Sequence, residues 1–264
     1  MSHYDVYFES LAAQGIQLTE GQKQWYMKKC DVNQENMKKE YPSTPQEAFE
    51  VNTSGLYYAA HISTARNSGR VLNIPYDPTL RVHTAWDLGF SDANTIIFFT
   101  VCGKEIHIID YYEASGLSLV DYIKQIKKRD FVYGQHLAPH DIRNYEYSTG
   151  VSRIDTASKL GIHFTMVPNI PLIDGIDAVR NIFPRLCFHN SDNVLAFVNR
   201  IENYTQKWDK QLGIWSGRPE HDLNSHAADA LRYLAVGLSY CMDESQGVTQ
   251  EMADNLWRSH GRKL

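Results

Sequence analysis

From Arg81 onward the chain reads as apolar and period-two runs set close together: Val82 to Asp87, Thr95 to Val101 and Glu105 to Tyr112. Runs of this kind and length mark strands with buried faces. Gly103-Lys104, between the second and third runs, fits a tight hairpin turn. Three such strands in succession, turning back on one another, are expected to form an antiparallel meander. The pattern then changes. Ser118 is placed to cap an amphipathic helix that runs to Arg129, and a fourth strand is expected from Val132 to Ala138. A helix opened by Ser152 ends at Gly161, a residue suited to the left-handed position after a helix, and Ile162 to Val167 reads as the next strand. Helices follow near Asp174 to Arg185 and Asp192 to Trp208, then a hairpin through Lys210 to Gly213, and a last helix from about Ser225 to Tyr240.

The order β-β-β-α-β-α-β-α, without internal repeats, suits an α/β protein with one mixed sheet and helices on both faces, because later strands arrive by crossovers that cover the sheet. The ribonuclease H-like fold has this plan. Residues 1–75 read differently, as helices and irregular connections without a clear strand. Thr19 and Gln22 form a capping-box pattern at the head of one helix. The segment EYPSTPQEAF breaks the chain before a short helix from Pro45 to Phe49. The expected organisation is an arm or linker over 1–75, the sheet domain over 76–242 and a polar C-terminal tail over 243–264.

Composition narrows the class. Hydrophobic residues make up 43% and charged residues 22%, so a packed core is expected rather than a disordered chain. Cys30, Cys102, Cys187 and Cys241 are scattered, with no CxxC pair and no Cys/His cluster at zinc spacing, and read as free thiols. No signal peptide and no bilayer-length apolar run stands in the sequence, so a cytoplasmic, non-secreted protein is expected. The net charge of −5 argues mildly against a strongly adhesive nucleic-acid binder. A site built of carboxylates lowers net charge by itself, however, and a local basic strip such as Lys124, Lys127, Lys128 and Arg129 can still follow a phosphate backbone.

Three acids carry the candidate chemistry. Asp87 emerges from a buried apolar strand just before Gly89, where its charge costs desolvation unless something positive meets it. Position alone leaves a turn-capping role open as well. Asp141 follows the fourth strand in LAPHD, with Pro139 stiffening the exit, although acids after strands are common. Asp229 lies in the first turns of the last helix, off the stripe of Ala230, Leu231, Leu234 and Leu238 and on the side of Tyr233 and Val236. A simple interaction with the helix dipole is its alternative role. Separated carboxylates without thiol partners favour hard, oxygen-preferring cations. Two Mg²⁺ or Mn²⁺ ions would then serve phosphodiester hydrolysis, with Asp87 as the bridging ligand.

The segments LTEGQKQWY, EYPSTPQEAF, AWDLGFSD, LAPHD, GIDAVR and SHAADALRY, in this order and over most of the chain, resemble the nuclease half of the large terminase subunits of tailed bacteriophages. The resemblance implies a divalent-metal-dependent endodeoxyribonuclease, a hydrolase that cuts double-stranded concatemeric viral DNA during genome packaging in the cytoplasm of an infected bacterial host. Its metal-binding acids would match Asp87, Asp141 and Asp229, with Asp222 the rival for the third place and His221 and His226 as nearby orienting groups. The implied partners are double-stranded DNA without strong sequence specificity, the portal, the small terminase subunit and the ATPase half; no membrane is implied. No GxxxxGK[ST] phosphate loop occurs in these residues, so they are not expected to drive translocation, and the arm would be what joins them to an ATPase half. Lys207, Lys210 and Arg218, with Trp208 and Trp215 between them, are candidate DNA grips, although tryptophans more often close a core. Two other readings stand beside this one: a Holliday-junction resolvase or transposase-like nuclease with a similar acidic cluster, and a non-catalytic module that docks on the portal.

Overall fold

A computed structural model of the chain describes residues 3–33, 37, 41–45, 47, 53–89, 94–143 and 150–242. Contacts divide it into two compact units, Met1–Gly55 and Leu56–Leu264. The first contains α1 (His3–Ala13) and α2 (Glu20–Asn33) around a small core of Phe8, Leu11, Tyr26 and Met37. The capping box before α2 is present in both directions. Gln22 N donates to Thr19 Oγ1 at 3.3 Å and Thr19 N donates to Gln22 Oε1 at 2.8 Å. Thr44 Oγ1 accepts from Glu47 N at 3.0 Å at the head of the expected Pro45 helix, whose end at Phe49 lies outside the described residues, as does the tail from 243.

The second unit contains α3 (Ala59–Asn67), β1 (Val71–Leu72), β2 (Val82–Asp87), β3 (Asn94–Cys102), β4 (Glu105–Ala114), α4 (Leu119–Lys127), β5 (Tyr133–Ala138), α5 (Arg153–Lys159), β6 (Phe164–Met166), α6 (Leu172–Ile182), β7 (Leu186–His189), α7 (Asp192–Glu202), β8 (Gln206–Asp209), β9 (Ile214–Pro219) and α8 (Leu223–Met242). Among the described residues the strands make a seven-stranded sheet in the order β1-β7-β4-β3-β2-β5-β6 and a separate β8-β9 hairpin. The β2-β3-β4 meander is antiparallel, and β5, β6, β7 and β1 add in parallel. One face, with Ala85, Ile97, Phe99 and Leu137, packs against α3, α6, α7 and α8. The other, with Trp86, Ile96 and Phe98, packs against α4 and α5. Each large side chain fully buried in this way contributes about 1.5–3 kcal/mol.

Several boundaries differ from expectation. The unit division falls after Gly55 rather than Pro75, and the segment thought to lack strands supplies β1. The helix expected to reach Arg185 stops at Ile182, because Pro184 opens a 3₁₀ turn (Phe183–Arg185) that leads into the unexpected strand β7. Arg70 secures this edge by donating from Nη1 to the carbonyls of Phe183 (2.6 Å) and Leu186 (2.9 Å). The helix expected to reach Trp208 stops at Glu202, and Trp208 lies in β8, paired with Trp215 of β9 at a ring separation of 4.9 Å. Aromatic cross-strand pairs of this kind stabilise a hairpin. The last helix starts at Leu223, two residues before the expected Ser225.

Candidate active site

Strands β2 and β5 run parallel, in a register that pairs Ala85 with Leu137, and therefore deliver their following residues to the same end of the sheet. β2 ends on Asp87 itself. β5 leads through Pro139 into a 3₁₀ turn, His140–Arg143, that carries Asp141. The third acid comes from α8, which packs on β2, β3 and β5. Thr95, the β3 partner of Asp87, donates from Oγ1 to the His226 carbonyl at 3.0 Å and so holds the first turns of α8 over this end of the sheet. His226 and Asp229, three residues apart, share a helix face. His226 Nδ1 lies 3.0 Å from Asp87 Oδ2.

The electrostatics are those of crowded, poorly solvated acids. Asp87 is 9% exposed. Burial pushes its carboxyl above the usual range, the Asp229 carboxylate pushes the same way, and the His226 hydrogen bond and Arg232 oppose them. Tyr233, one turn beyond Asp229, is raised first by burial and then by the charges of Asp87 and Asp229, with Arg232 opposing them and Asp141 adding to the rise. Asp141 Oδ1 is buried with no hydrogen-bond partner among the described residues. Asp229 Oδ1 accepts from Arg232 Nη2 at 2.9 Å and Nε at 3.2 Å. A buried acid whose charged form is disfavoured and a second acid with an orphaned oxygen are the conditions a bound cation relieves, and an all-oxygen donor set suits Mg²⁺ or Mn²⁺. The three acids do not converge as tightly as Glu105, His107 and Cys187 elsewhere in the sheet, where one ligand atom from each lies within 4.8 Å of the others. Instead, Asp87 is turned to His226 and Asp229 to Arg232.

Asp222 has another task. Its Oδ1 accepts from Asn224 N (2.8 Å) and Ser225 N (3.1 Å) and so caps α8, while its Oδ2 accepts from the Asn224 side-chain amide Nδ2 (2.8 Å). His221 Nδ1 lies 3.2 Å from Ser225 Oγ. Lys207, Lys210 and Arg218 are exposed on or beside the hairpin strands, and Trp208 is 41% exposed rather than closing a core. The basic strip loses Arg129, whose Nε is 2.6 Å from Asp110 Oδ2 and whose guanidinium lies over the Phe98 ring. Sequence reasoning passed over Arg232, although its i,i+3 spacing from Asp229 was the available signal. It also passed over Gly175, where an added Cβ would lie 2.3 Å from Arg232 Cδ.

The sequence matches no protein-family model and no curated protein. In three dimensions the chain has the fold of the P22 large terminase nuclease domain, with a TM-score of 0.50 and 15% identity over 67% of this chain and 93% of that one. The nuclease domain of the bacteriophage SPP1 large terminase, a structure with bound Mn, aligns with a TM-score of 0.45 and 18% identity over 61% of this chain and 86% of that one. The large terminase of a thermophilic bacteriophage aligns with a TM-score of 0.49 and 15% identity over 65% of this chain. The chain spans 43% of that protein, less than half its length. The expected ribonuclease H-like mixed sheet with helices on both faces is thus the observed one. No helix of the described residues is long and apolar enough to cross a membrane.

Proposed function

We propose that this chain is a divalent-metal-dependent endonuclease that cuts double-stranded DNA during phage genome packaging. The observation that supports the reading is that the parallel neighbours β2 and β5 lead to Asp87 and Asp141 at one end of the sheet, where His226 of α8 meets Asp87, with Asp87 raised by burial and Asp141 Oδ1 unpartnered among the described residues. Asp87, Asp141 and Asp229 would hold two Mg²⁺ or Mn²⁺ ions. When bound, such a pair supplies an activated water and neutralises charge on the leaving 3′ oxygen. His226 orients the Asp87 carboxylate, and Arg232 steadies the Asp229 carboxylate. Asp222 keeps α8 capped, which favours Asp229 over Asp222 as the third ligand. Lys207, Lys210 and Arg218 form a basic rim suited to phosphates rather than to base edges, in keeping with cutting of low sequence preference. In this reading residues 1–55, the portal, the small subunit and an ATPase half are the means by which DNA is brought to the site, within an infected bacterial cell.

The test is cleavage of supercoiled plasmid with Mn²⁺ by the wild-type chain and by Asp87→Ala. Loss of nicking and linearisation in the variant is expected, whereas undiminished cutting would sink the assignment.

A further inference from the structure

We propose that Glu105, His107 and Cys187 form a second metal site, for a borderline divalent cation of the zinc class, separate from the acid trio and independent of the nuclease reading. The sheet builds it. Glu105 and His107 are two residues apart on β4, so their side chains leave the same face. Cys187 is the register partner of His107 in the parallel β4-β7 pair. One ligand atom from each lies within 4.8 Å of the others, and His107 Nε2 stands 2.9 Å from Glu105 Oε2.

The donor set is the reverse of the one at Asp87. A thiol, an imidazole and one carboxylate favour Zn²⁺ over Mg²⁺ or Mn²⁺, and three protein ligands leave a fourth position for water. Exposure is graded in the way a site with a route from solvent requires. Cys187 is 1% exposed, whereas the side chains of His107 and Glu105 are 12% and 29% exposed, so an ion reaches the thiol past the carboxylate. Cys187 is in no disulfide. The Asp87 end of the sheet is reached along β4 at Glu113, the partner of Thr95. Glu113 is six positions along the strand from His107, or roughly 15–20 Å at strand spacing, too far for a shared ion. An ion here would staple β7 to β4 and stabilise the folded chain by mass action.

The test is a Co²⁺ titration of the full chain, kept reduced with a phosphine. Thiolate-to-cobalt charge-transfer absorption is expected to rise to a plateau with the intensity of one cobalt-bound thiolate per chain and to be bleached by Zn²⁺. Cys187→Ser should abolish the band and His107→Gln should weaken Co²⁺ at least about tenfold. Cys30→Ser and Asp87→Asn should leave it intact. Absence of the band at saturating Co²⁺, or its persistence in Cys187→Ser, overturns the proposal. If Cys187→Ser does not fold, His107→Gln and Glu105→Gln decide, since a band of unchanged affinity in both refutes the site.

Discussion

Gly175→Ala tests whether α6 acts on the candidate site through a gap rather than through a contact. A methyl on Gly175 would stand 2.3 Å from Arg232 Cδ and 2.7 Å from Cγ, positions in the middle of the arginine side chain, so the guanidinium has to leave its place. With it go the two hydrogen bonds to Asp229, at 2.9 and 3.2 Å. A lost charge-assisted interaction costs about 1.5–3 kcal/mol, and overpacking adds about 1 kcal/mol or more. Against this, alanine in a helix gains about 1 kcal/mol over glycine. The balance is a loss of about 2 kcal/mol in urea unfolding, accompanied by a drop of about tenfold in Mn²⁺ affinity as Asp229 loses its support. The control is the same substitution in an Arg232→Ala background, where the obstruction is gone and Gly175→Ala should stabilise by up to about 1 kcal/mol. A stabilising effect in the wild-type background, or an equal cost in both, would show that Arg232 does not need the space Gly175 leaves.

Other consequences follow from the same geometry. Because burial raises the Asp87 carboxyl, its contribution to stability is fully present below the ordinary carboxylate range and is lost as pH rises through the folded-state value. In chelator, denaturant titrations at acid and neutral pH should therefore show a loss toward neutrality that Asp87→Asn removes, and added Mn²⁺ should restore the wild type alone; a larger loss in the variant would contradict this. Asp141→Asn should weaken Mn²⁺ binding in calorimetry while leaving unfolding within about 1 kcal/mol of wild type, since Oδ1 has no partner to lose among the described residues. Unchanged affinity would remove Asp141 from the site. Gly237→Ala places a Cβ 2.8 Å from Leu137 Cδ1 and Val167 Cγ1. Overpacking of about 1–3 kcal/mol should outweigh the helical gain, lowering the denaturation midpoint, and a raised midpoint would show that α8 can move away from β5.

What was legible in the sequence followed from local rules. The β2-β3-β4 meander showed itself through alternation and Gly103, and Asp87 and Asp141 through their places at strand ends. Features that depend on distant neighbours were hidden. β7 is four residues long and lies between two expected helices, so its short apolar run was assigned to no element; only pairing with β4 and β1 makes it a strand. Trp208 fitted a continuing helical pattern until Trp215 drew it into a hairpin. GIDAVR was visible as a motif, but the purpose of Gly175, room for an arginine on another helix, exists only in three dimensions. Asp229 stood ahead of Asp222 on the SHAADALRY resemblance and the helix geometry, whereas the capping bonds that occupy Asp222 show only in three dimensions. Cys187 and His107 lie far apart along the chain, so no spacing rule could join them.

Whether Asp87, Asp141 and Asp229 form the metal centre is decided by anomalous scattering from crystals of the chain soaked in Mn²⁺. Two manganese ions about 4 Å apart are expected, bridged by Asp87 and completed by Asp141 and Asp229, with Asp222 still capping α8. Anomalous peaks elsewhere, with the three acids bare at saturating Mn²⁺, would contradict the assignment.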